Sequence, residues 1–174
     1  VDFTVHSFKD LSLDRPAGVT LAAVPERENP RDGVFFSPLA LERLRRGKPL
    51  VIGTSSPRRL ENLPRFLEKA LPQAIPNKKS DKIPILQWSE IRGNVNSRLA
   101  RLGEPDGSER RLDGVVLALA GINRLWQDVA ARAELTQLLT GLKSMVLPLT
   151  HMPTAPAQGA LAIECRSADS ELLQ

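Results

Sequence analysis

The sequence predicts an α/β layered fold built on a mostly parallel sheet, and three observations carry that expectation. Short apolar or alternating runs such as "DFTVHS", "GVTLAAV" and "PLVIGT" recur along the chain. Between them stand segments with apolar residues at helical spacing, such as "SSPRRLENLPRFLEKALP". The two kinds alternate, as they do where crossover helices return a chain to a parallel sheet.

Each element follows from local residues. "DFTVHS" reads as a short strand and "GVTLAAV" (Gly18–Val24) as a second. "PERENPRDG" (Pro25–Gly33) is polar and proline-bearing, a connector and candidate hinge. "GVFFS" is extended, and "PLALERLRRG" (Pro38–Gly47) is a short helix opened by Pro and closed by Gly. "PLVIGT" (Pro49–Thr54) is a buried strand. In the helix that follows, Ser56 stands as N-cap and Pro57 at the first helical position. Leu60, Leu63, Leu67 and Leu71 are expected to face the core, and Pro64 to kink or divide the helix.

"QAIPNKKSDKIP" (Gln73–Pro84) reads as a polar loop, and "ILQWSEIRG" (Ile85–Gly93) as a strand running into a loop. "NVNSRLARL" (Asn94–Leu102) opens a helix, and "GEPDGSERR" is a surface loop. "LDGVVLALAG" (Leu112–Gly121), the most apolar run, is expected to be a central strand. "INRLW" and "VAARAELTQLL" are helical, "SMVLPLT" is extended, and "PTAPAQGALAIECR" closes on a strand.

Composition narrows the function. The chain has 174 residues, 41% hydrophobic and 25% charged, enough to bury a core in one large or two small domains. No run approaches the roughly 18 apolar residues of a membrane span, and "VDFTVHSFKD" lacks the pattern of a signal peptide. A strand at the first residue, no initiator Met and an abrupt "SADSELLQ" lead us to expect a segment of a larger protein. The single cysteine, Cys165, excludes an intrachain disulfide and fits a reducing, cytoplasmic setting. With only His6 and His151 beside it, no metal site is expected. A net charge of +4 and a pI near 9.6 favour an anionic partner. Aromatics at 4% and no tyrosine leave no stacking platform for nucleic acid.

Two stretches suit discrete anion pockets. In "GTSSPRR" (Gly53–Arg59), Gly53 permits a tight turn, and Thr54, Ser55 and Ser56 set hydroxyls beside the free N–H groups of a helix start. Arg58 and Arg59 add planar forks that bind carboxylates bidentately. The alternative reading is a plain helix cap with solvated arginines. "IRGNVNSR" repeats the theme with Arg92, Gly93, Asn94 and Arg98. "HSFKD" (His6–Asp10) places Ser7, Lys9 and Asp10 after a strand, where α/β folds hold ligands. Spacing alone reads it equally as an ordinary polar turn. "APAQG" (Ala155–Gly159) is a tight connector that could present Gln158, and Cys165 reads as a buried, inert thiol.

Taken in chain order, "VHSFKD", "PERENPRDG", "IGTSSPRR", "IRGNVNSRL", "DGVVLALAGINRL" and "PTAPAQGALAIECR" resemble the porphobilinogen deaminase (hydroxymethylbilane synthase) family. The resemblance implies a transferase that joins four porphobilinogen units head to tail, releasing ammonia, in tetrapyrrole biosynthesis. It implies Asp10 as the catalytic carboxylate. Ser7, Lys9, Thr54, Ser55, Ser56, Arg58, Arg59, Arg92, Gly93, Asn94, Arg98 and Gln158 would be contacts to substrate or cofactor. It implies a dipyrromethane cofactor held by a cysteine outside this chain, not Cys165, in a monomeric protein.

The implied architecture is two hinged α/β domains of the periplasmic-binding-protein-like type, with domain one incomplete and domain three absent. Residues 1–30 and 155–174 would belong to domain one and 31–154 to domain two. The chain by itself would be inactive. Against this stands a non-catalytic two-lobed anion-binding domain, which would have no need of a carboxylate at Asp10.

Overall fold

The computed structural model describes residues 1–12, 14–73 and 83–173. Nearly all of the loop expected over Gln73–Pro84 lies outside the described residues.

Two sheets organise the chain. The smaller contains β1 (Phe3–Ser7), β2 (Val19–Ala23) and β8 (Leu161–Arg166), in the order β1-β8-β2 and antiparallel throughout. A single 3-10 turn, Phe8–Asp10, follows β1. The larger contains β3 (Asp32–Phe36), β4 (Leu50–Gly53), β5 (Leu86–Ser89), β6 (Gly114–Ala118) and β7 (Lys143–Val146), in the order β5-β4-β6-β3-β7.

Alternation along the strands of the larger sheet divides its core in two. Val34, Phe36, Ile52 and Val116 face α1 (Ala40–Arg45) and α2 (Pro57–Gln73), where Ala40, Leu63, Leu67 and Leu71 are buried. Phe35, Val115 and Leu117 face the other way. There they meet Leu99 of α3 (Val95–Ala100), Ile122 of α4 (Leu119–Gln127) and Leu135 of α5 (Val129–Leu139). Helices on both faces make this an α/β layered unit, the expected class.

The sheet is mixed, not mostly parallel. β4 pairs in parallel with β5 and β6, but β3 pairs antiparallel with both β6 and β7. The reason is topological. The chain arrives from the smaller sheet through β3 and leaves towards it through β7, so these two strands run side by side in opposite directions.

Three further expectations are corrected. Leu60 is 39% exposed, because the buried stripe of α2 begins at Arg59 and continues through Leu63, Leu67 and Leu71. Pro64 does not divide α2, which runs from Pro57 to Gln73 with the buried Leu63 and Leu67 on either side of the proline. The strand expected over Leu112–Gly121 is confined to Gly114–Ala118, because α4 begins at Leu119. It is the central strand of its sheet, as its apolar run suggests.

Two connectors, residues 24–31 and 147–160, link the sheets and lie against each other. Glu28 N–H donates to the Gly159 carbonyl at 3.1 Å, and Arg27 Nε donates to the Gln158 carbonyl at 2.9 Å. Ala157 in the second connector takes φ +54°, a left-handed conformation that costs an L side chain about 1–2 kcal/mol. Ala157→Gly is therefore expected to stabilise the fold by about 0.5–1 kcal/mol, read as a higher Tm by circular dichroism.

Among the described residues no helix is long and apolar enough to cross a membrane. No group of three or more His, Cys, Asp or Glu there could hold a metal ion.

Candidate anion-binding cleft

A cleft of about 400 Å3 opens where the two sheets meet. Its position follows the rule that α/β sheets bind ligands beyond the carboxyl ends of their strands. β1 delivers Ser7, Lys9 and Asp10, and β6 delivers Leu117 and Ala118 ahead of Ala120, Gly121 and Arg124 on α4. The loop after β5 brings Gly93, Asn94 and Arg98, α2 brings Arg59, and the second connector brings Gln158, Gly159 and Ala160.

The structure thus gathers Ser7, Lys9, Asp10, Arg59, Gly93, Asn94, Arg98 and Gln158 into one cleft, although they come from distant parts of the sequence. Lys9, Arg59, Arg98 and Arg124 supply positive charge, and among the described residues Asp10 is the only carboxylate in the lining. Loss of solvent lowers the pKa of Lys9; Asp10 opposes that effect and Arg59 reinforces it. Arg98 also sits below the ordinary arginine value, through desolvation first and the Arg59 charge second. Each site is more hospitable to its cation once an anion arrives.

Thr54, Ser55, Ser56, Arg58 and Arg92 do not line the cleft. Thr54 is buried, and its Oγ1 accepts from Ser56 N–H at 3.3 Å. Ser55 clamps two loops, accepting from Ile91 N–H at 3.0 Å and donating to the Ile91 carbonyl. Arg92 is exposed and paired with Glu90 at 3.1 Å. The side chain of Asn94 is committed as the cap of α3, accepting from Ser97 N–H at 2.8 Å. Arg98 Nε donates to the Gly93 carbonyl at 2.8 Å, a contact made possible by φ +104° at Gly93.

Two residues matter that the sequence reading passed over. Arg124 lies within "DGVVLALAGINRL" and donates to the Gly159 carbonyl at 2.7 Å while lining the cleft. Asp32, in "PERENPRDG", is 1% exposed and accepts from Arg58, Arg59 and Gln158. Only a buried arginine pair without an acceptor would have betrayed it, and burial is invisible in sequence.

Burial disfavours the charged form of Asp32, but hydrogen bonds and charge from Arg59, then Arg58, outweigh it and hold its pKa below the usual carboxylate range. A depressed native pKa means that the unfolded chain binds the proton more readily. Asp32 therefore stabilises the fold at neutral pH, and that contribution fades as pH falls from the ordinary aspartate value through the depressed one. Melting curves from pH 7 towards pH 3 are expected to fall more steeply for the native chain than for Asp32→Asn.

Fold and cleft together define an α/β protein with a cleft lined by Lys9, Arg59, Arg98 and Arg124. Comparison with known proteins is more specific: the chain belongs to the porphobilinogen deaminase family, whose model described as "Porphobilinogen deaminase, dipyromethane cofactor binding domain" matches residues 1–174. A porphobilinogen deaminase of a Nostoc species is 38% identical over 99% of this chain and 44% of its own length. One from Cutibacterium acnes is 41% identical over 97% of this chain and 43% of its own, and one from Bacillus subtilis 37% identical over 99% and 45%. The chain therefore spans under half the length of these relatives.

Proposed function

We propose that the protein containing this chain is a porphobilinogen deaminase, joining four porphobilinogen units into hydroxymethylbilane with release of ammonia. The observation that carries the reading is Asp10: one carboxylate in a cleft otherwise lined by Lys9, Arg59, Arg98 and Arg124. A receptor for anions gains nothing from a carboxylate there, whereas proton transfer at the reacting atoms can use one.

The donor set suits dipyrromethane and the growing chain. Pyrrole rings bearing acetate and propionate need cations for their carboxylates and apolar walls for their faces, and Leu117, Ala118 and Ala120 provide such walls. Dipyrromethane, when bound, supplies the chain end that accepts each new unit. Lys9, Arg98 and Arg124 bind and orient carboxylates, with Ser7 and Gln158 as polar contacts. Arg92, exposed on the loop beside Gly93, would exchange Glu90 for carboxylates of a longer chain. Thr54, Ser55, Ser56 and Arg58 support the site from behind. Asp10 moves protons at the departing amine and the ring nitrogen, and balances positive charge as ammonia leaves.

The two-sheet arrangement supports residues 1–30 and 155–174 as part of one domain and 31–154 as a second, hinged at the paired connectors. Cys165 is buried within β8, opposite Phe3 and Thr20, which supports attachment of the cofactor to a cysteine elsewhere in the protein. A cytoplasmic monomer without nucleic-acid or membrane partners completes the reading.

The test uses protein from the complete reading frame, incubated with porphobilinogen and then oxidised. Uroporphyrin absorbance is expected. No colour from protein whose intact mass shows bound dipyrromethane would instead favour a non-catalytic anion-binding protein.

A further inference from the structure

The arginine pair of "GTSSPRR" does not stand free. Arg59 donates through Nε to Asp32 Oδ2 at 3.1 Å, through Nη2 to Oδ1 at 2.7 Å, and through Nη1 to the Val116 carbonyl at 3.1 Å. Arg58 Nη2 donates to the same Oδ2 at 2.8 Å. Gln158 Nε2 donates to Oδ1 at 2.9 Å and to the Pro30 carbonyl at 2.6 Å. Both oxygens of one buried carboxylate are thus filled by donors from the first turn of α2 and from the second connector.

We propose that Asp32 is a positioning residue for the cleft: its carboxylate fixes Arg59 and Gln158, both of which line the cleft, and so shapes the anion site from behind. The proposal rests on reading the cleft as the porphobilinogen site. Asp32 itself does not line the cleft, so it shapes the lining through Arg59 and Gln158, and its charge also reaches Lys9.

The chemistry requires a carboxylate in particular. Arg59 is 6% exposed, and a buried guanidinium without a counter-charge is strongly disfavoured. Asp32 neutralises it and, with two acceptor oxygens, matches its planar fork. An asparagine offers one acceptor, and its amide hydrogens would face the arginine donors. Arg59 would then turn towards solvent in the cleft or towards a bound carboxylate, and Gln158 would lose one of its two acceptors. Either movement displaces the wall against which the substrate is oriented. Asp32 carries one negative charge against both Arg58 and Arg59, so the clasp keeps a net positive charge behind the cleft while holding Arg59 in place. Lys9, Arg98 and Arg124 add theirs at the lining.

The experiment compares the complete native protein with Asp32→Asn, Asp32→Glu and Leu67→Ala. Leu67 is fully buried in the core between α2 and the sheet, away from the cleft, and serves as a control for loss of stability alone. Circular dichroism reports folding, equilibrium dialysis the Kd for porphobilinogen, and product formation kcat and KM. Asp32→Asn is expected to raise Kd and KM by about tenfold or more, since misplacement of about 1 Å can cost that much. Asp32→Glu, which keeps the charge but shifts the fork, is expected to fall between native and Asp32→Asn. Leu67→Ala is expected to lower Tm and leave Kd and KM as they are.

A folded Asp32→Asn with native Kd and KM would overturn the proposal. If that variant does not fold, Asp32→Glu decides: an intermediate Kd supports the proposal and a native Kd overturns it. Native protein that binds porphobilinogen without forming product would remove the deaminase reading while the Kd comparison still tests Asp32. Native protein that does not bind porphobilinogen overturns both.

Discussion

Asp10→Asn is expected to lower the kcat of the complete protein by about 10²–10⁴-fold, the usual contribution of a positioned proton-transfer group. Porphobilinogen affinity should change little. The substitution preserves size and removes one negative charge from a cleft lined by Lys9, Arg59, Arg98 and Arg124, so carboxylate binding is not weakened. It removes the lining carboxylate that can pass a proton and balance a developing cation. Initial rates of ammonia release give kcat, and equilibrium dialysis gives Kd. A kcat within a few fold of native would assign the proton transfer elsewhere.

Gly159→Ala is expected to destabilise the fold by about 2–5 kcal/mol, combining backbone strain with overpacking. Gly159 takes φ +93°, a conformation that L residues rarely adopt. An added Cβ would also lie 2.5 Å from the Glu28 carbonyl oxygen, and backbone cannot swing aside as a side-chain tip can. The Gly159 carbonyl accepts from Glu28 N–H and Arg124 Nη2, so any shift loosens both the paired connectors and a cleft arginine. The Glu28 side chain, which accepts from Asn123 Nδ2 at 2.9 Å, anchors the same junction to α4. Urea unfolding checks the size of the loss, and activity of the complete protein should fall with it. The contrast with Ala157→Gly, two residues earlier, is informative, because there the left-handed conformation already carries a side chain.

Much of the architecture was legible because the residues responsible act locally. Helix starts at Pro57 and after Asn94, the alternation that sends Val34 and Phe35 to opposite faces, and the central place of the Gly114–Ala118 run all follow from neighbours in sequence. The mixed sheet was not legible. Strand direction depends on where the chain crosses between sheets, and no residue of β3 or β7 encodes that. The site was legible as a set of motifs rather than as geometry. Lys9, Asp10 and Arg98 carry their chemistry openly and meet in the cleft. Arg59 looked like a free fork, but its partner Asp32 lies 27 residues away and is brought to it by packing. Leu60 was misread for the same reason, since the arginine clasp takes the buried face of the first turn of α2.

In the proposed function, carboxylates of the growing tetrapyrrole lie in the cleft between the two sheets with Asp10 at the reacting atoms. Electron density for the complete protein with its pyrrole chain bound tests this most directly. The expected result is that chain in the cleft, its carboxylates within hydrogen-bonding reach of Lys9, Arg98 and Arg124, and pyrrole nitrogen beside Asp10. Pyrrole density bound elsewhere on the protein, with the cleft holding only water, would contradict it.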